Sequence, residues 1–75
     1  MASDRRTTIE RIGAAEAVAE ELREALGSAG VKLPSLRVDL VSVAREVPRP
    51  LVDLGRCNQE TALALAAVVR KGCGR

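Results

Sequence analysis

The sequence predicts an α+β fold: a small αββα domain in which an antiparallel two-stranded hairpin carries two helices packed on one face, completed by homodimerisation. Three observations carry this expectation. The segments that follow Thr7 and Asn58 have helical periodicity and capping residues at their ends. Between them, residues 36–40 and 51–56 alternate apolar and polar side chains, the pattern of half-buried strands. About ten residues separate the two runs, too few for a crossover helix, so the strands run antiparallel. One domain is expected over residues 7–72, with 1–6 as a disordered leader and 73–75 as a frayed tail.

The first helix opens at Thr7, which with Glu10 three residues later fits a capping box. Ile12, Ala15, Ala19, Leu22 and Leu26 recur at steps of three and four, and Ile9, Val18 and Ala25 widen that stripe. Five glutamates against two arginines make the helix acidic, with a net charge of −3. Gly27, Ser28 and Gly30 close it, and Pro34-Ser35 keeps the linker extended or turned.

In the first strand Leu36, Val38 and Leu40 point inward; in the second, Val52 and Leu54 do so. Setting Val38 opposite Val52 brings Leu36 to Leu54 and Arg37 to Asp53, giving apolar pairs inside and an ion pair outside. The alternative that faces Asp39 with Asp53 juxtaposes like charges. The connection 41–49, with its Pro48-Arg49-Pro50 triplet, either extends the hairpin or holds a helical turn around Ser42 to Glu46.

The last helix starts near Gln59 behind the N-cap Asn58, with Glu60 at the positive end of the dipole. Arg70 and Lys71 complement the negative end, and Gly72 suits a left-handed stop. Between these caps the chain reads as almost wholly aliphatic, and a helix of that composition needs covering on most sides. The residues expected to meet a second copy are Leu63, Leu65, Ala66, Val68 and Val69.

Size sharpens the need for a partner. A 75-residue chain buries only about 60–65% of its surface on folding, and with no Phe, Tyr or Trp the core is limited to small aliphatics. An intrachain disulfide is no remedy: Cys57 and Cys73 flank a helix of about 20 Å, while bridged Cα atoms lie about 4.4–6.8 Å apart. No histidine is present, and two distant cysteines make no tetrahedral metal site, so no metal or cofactor is expected. A two-stranded sheet also leaves both edges open, which dimerisation would cover.

Catalysis is not expected either. The chain has no histidine, no pair of carboxylates at a spacing that suggests a shared pocket, and no GxSxG motif. The glutamates of the first helix read as a solvated face. Cys57 precedes an N-cap and neighbours Arg56, an environment that favours a thiolate and suggests a redox switch; the simpler reading is a small buried apolar residue. Lys32, Arg37, Arg45, Arg49 and Arg56 surround the hairpin, and a β-ribbon bearing arginines can enter a DNA groove. A net charge of +2 and the lack of stacking aromatics speak for an ordinary solvated sheet face instead.

The run RPLVDLGRCN at residues 49–58, followed by a helix of Thr, Ala and Leu, resembles small uncharacterised proteins of actinomycetes over about residues 8–70. The resemblance implies a bacterial, cytoplasmic setting and brings no activity, ligand or catalytic residue with it. The absence of a membrane-length apolar run and of a signal-peptide core leads to the same expected location. The function expected from the residues is therefore a non-enzymatic, self-associating interaction or regulatory module, with another protein as a further partner. A dimeric DNA-binding regulator and a thiol switch at Cys57 are the alternatives.

Overall fold

Five elements follow one another in the computed structural model, which describes residues 8–45 and 48–74: α1 (Thr8–Ser28), β1 (Arg37–Val38), α2 (Leu40–Ala44), β2 (Val52–Asp53) and α3 (Gln59–Gly74). The mixed α+β class and the antiparallel hairpin are as expected. The leader, Thr7 of the capping box, Glu46, Val47 and Arg75 lie outside the described residues.

Helix α1 buries Ala15, Ala19 and Leu26, and half-buries Ile12 and Leu22, so the central stripe reads correctly from its spacing. The widening of that stripe does not hold, because Ile9 and Val18 are exposed by 81% and 60% and Ala25 is exposed too. The hairpin that α1 covers is only two residues wide and takes up a narrower arc of the helix. At the end of α1 the Val31 N–H donates to Leu26 O at 2.8 Å and the Gly30 N–H to Gly27 O at 3.0 Å. Gly30 has φ of 81°, which completes a left-handed Schellman close, and Val31 and Leu26 are both buried beside it.

The strands pair in the register that like faces and opposite charges demand, Arg37 with Asp53 and Val38 with Val52. Leu36 and Val38 are buried, and the Arg23 guanidinium reaches from α1 to donate to Leu36 O at 3.0 Å while also pairing with Glu20. The Asp39 N–H adds one more rung by donating to Leu51 O at 2.8 Å. Both strands are shorter than the alternation suggests.

β1 stops because Asp39 is a helix cap, not an outward-facing strand residue. Its backbone is extended (φ −78°, ψ 106°) and its carboxylate accepts from the Val41 N–H at 3.2 Å, which starts α2 one residue later. The expectation that Leu40 lies inward is thereby corrected: it is 70% exposed. Of the two forms open for the connection, the helical one is adopted, two residues earlier than Ser42. Leu54, expected inward, is 49% exposed just beyond the end of β2.

The described residues thus hold one helix more than αββα, and among them only α1 lies over the hairpin. No Cα of α3 comes within 8 Å of another element, so the expected packing of both helices on one face is not what a single copy adopts. The radius of gyration reports the same thing, 15.0 Å against about 11 Å for a compact chain of this length. A short sheet whose buried face is already filled by Ala15, Ala19 and Leu26 offers α3 nothing to cover.

Candidate functional site

The surface that sets this chain apart is α3 itself. Asn58 caps it as the sequence requires: its side-chain Oδ1 accepts from the Thr61 N–H at 2.8 Å and its carbonyl from the Ala62 N–H at 3.0 Å. Upstream, the chain turns toward the helix at Gly55, whose φ of 76° and whose approach to Ser35 leave no room for a side chain. The Asp53 carboxylate accepts from the Gly55 N–H at 2.8 Å and locks that bend.

The far end of α3 departs from expectation. Gly72 does not take a positive φ, and the helix continues through Cys73 to Gly74. The contrast with Gly30 is instructive. There a buried Val31 follows the glycine and packs the reversed chain against Leu26, whereas Gly72 is followed by the exposed Cys73 and gains nothing by turning.

None of the residues of α3 is buried. Leu65, Ala66 and Val68 are half-buried, and Leu63 and Val69 are exposed by 71% and 55%. At 100° per residue Leu65, Ala66, Val68 and Val69 fall within about 160° of arc, a mainly aliphatic side that also carries Thr61, Gly72 and Cys73 and is free of charge. Leu63 lies off that arc, on the side of Arg70. Glu60, Arg70 and Lys71 all point away from its centre, so α3 does have a wet side, narrower in charge than most.

The five basic residues of the hairpin region are all exposed but do not form one stripe. Arg37 and Arg56 line one shallow groove together with Asp53, and Arg37 Nη2 lies 3.6 Å from Asp53 Oδ2. Their side chains are 72% and 42% exposed, so this ion pair contributes little. Lys32 lines a second groove with Arg23; Arg49 lines a third, with Arg11; Arg45 closes α2. Each arginine cluster is thus tied to a different part of the fold.

Cys57 and Cys73 are both free and exposed, which corrects the reading of Cys57 as a buried apolar residue. The strand–helix junction around it is not covered by α1. Among the described residues no three metal-ligating side chains come together, and no helix is long and apolar enough to cross a membrane.

Two residues escaped the sequence reading. Ser42 is 3% exposed; its hydroxyl donates to Asp39 O at 2.7 Å and accepts from the Leu51 N–H at 2.8 Å, tying α2 to the start of β2. Arg11 lines the groove that it shares with Arg49, and its Nε is shielded from solvent without a hydrogen-bond partner. The spacing Arg11, Ala14, Ala15, Val18 was the available signal, since it sets small residues beside a cation on one helical face.

Comparison with known proteins finds no family model, no curated protein and no solved structure that matches the chain.

Proposed function

We propose that this chain is a non-enzymatic interaction module that works as a homodimer, with α3 as the surface on which two copies meet. The observation that carries the reading is that α3 presents an uncharged aliphatic side while approaching no other element of its own chain. Burial of apolar surface is worth about 25 cal/mol per Å², and an aliphatic helix left in water forgoes it.

Three features favour a second copy as the occupant. The chain exposes 6060 Å², where a compact 7.9 kDa monomer exposes about 4400 Å²; half of that surplus already equals one partner's share of a standard interface, about 800 Å². Ala62 and Ala66 on the aliphatic side permit close approach of two helices. An antiparallel pair also sets the N-terminal end of one α3 at the C-terminal end of the other, where the helix dipoles attract. The dispersal of the hairpin arginines makes duplex binding the less favoured reading.

The test is solution mass by light scattering with a dilution series of melts. A dimer has a melting temperature that rises with chain concentration. Leu65→Asp puts a carboxylate in the centre of the seam and is expected to give a monomer or an unfolded chain. A wild-type monomer whose melting is independent of concentration, or a Leu65→Asp variant of native mass and melting temperature, overturns the proposal.

A further inference from the structure

Away from α3, α1 and the Pro48-Arg49-Pro50 turn enclose an open cleft of about 390 Å³, a size suited to a small ligand. Its apolar lining includes Ala15, Val18, Pro50 and Val52, and its cations are Arg11 and Arg49. Neither arginine forms an ion pair among the described residues. Arg11 is half-buried and its Nε is shielded from water, so it is the Nη end of the guanidinium that the cleft can offer to a ligand. Arg49 adds a second positive charge and sits between two prolines whose rings restrict the backbone that carries it.

We propose that this cleft binds a small aliphatic carboxylate. The two carboxylate oxygens match the outer edge of the Arg11 guanidinium, each accepting from one Nη–H, a bidentate pairing that this fork favours. Arg49 closes over the same charge from the turn, and the hydrocarbon body lies on Val18, Pro50 and Val52. A bare inorganic anion would leave that apolar lining unused. The site is independent of α3, so its success or failure leaves the dimer proposal untouched.

The experiment is a titration of the full chain at neutral pH, followed by amide chemical shifts, with hexanoate as the probe and hexanol and inorganic phosphate as comparators. Hexanoate is expected to give saturable shifts at Ala15, Val18 and Val52. Hexanol and phosphate are each expected to bind at least about tenfold more weakly, the loss that follows from removing one charge-assisted contact set or the apolar one. Arg11→Gln keeps a good helix former and is expected to weaken hexanoate by about the same factor, while Arg45→Gln leaves it unchanged. No saturable shift at those three amides, equal binding of hexanol or of phosphate, or an Arg11→Gln variant that binds as tightly as the wild type would each refute the site. If Arg11→Gln fails to fold, the comparison of hexanoate with hexanol and phosphate on the wild-type chain decides alone.

Discussion

Ser42 is the polar joint of the hairpin. Replacing it with alanine removes one hydroxyl from a position that is 3% exposed and leaves the volume otherwise nearly unchanged. Two hydrogen bonds go with it. The Asp39 carbonyl keeps a second, longer donor, the Val43 N–H at 3.4 Å, but the Leu51 N–H loses the acceptor it has at 2.8 Å. A net bond is worth about 1 kcal/mol, so from the loss of two we expect a destabilisation of about 2 kcal/mol. For a domain of this length that lowers the melting temperature by about 8–16 °C. It is a large share of a total stability of about 4–11 kcal/mol. Thermal melts followed by far-UV circular dichroism measure the loss, and amide exchange at Leu51 localises it. A Ser42→Ala variant that melts within about 2 °C of the wild type, with the Leu51 amide equally protected, would refute the assignment of this hydroxyl as the link between α2 and β2.

Two further substitutions examine the approach to α3. Gly55→Ala imposes φ of 76° on an L-residue and drives its Cβ against Ser35, whose carbonyl carbon and oxygen would both lie 3.0 Å away. The expected cost in urea denaturation is about 2 kcal/mol or more, partly recovered by a second change, Ser35→Gly; a loss under about 0.5 kcal/mol contradicts the turn. Asn58→Ala removes the acceptor of the Thr61 N–H and should cost α3 about 0.5–2 kcal/mol, read as faster amide exchange at Thr61. Unchanged exchange there would mean that the cap bond is not formed in solution.

The hairpin register was legible because two independent patterns agree on it: aliphatic pairs inward, and Arg37 against Asp53 outward. The cap at Asn58 and the close of α1 at Gly30 were legible for a similar reason, since each depends on residues adjacent in the chain. Helix α2 was not. The alternation Leu36, Val38, Leu40 looks the same whether the strand continues or Asp39 turns to cap a helix. The choice is made by the buried Ser42, whose partners lie at both ends of the connection.

Composition alone, without any aromatic ring, dictated a thin core of small aliphatics, and local chemistry dictated caps, turns and strand pairing. Those features depend on neighbours a few residues apart, which a linear pattern records. Where α3 sits, which cation joins Arg49, and that Cys57 faces water were settled by the folded chain. Each of these depends on how much room a two-residue sheet leaves once α1 has covered it, and available space is a property of the assembled elements, not of any one segment's periodicity.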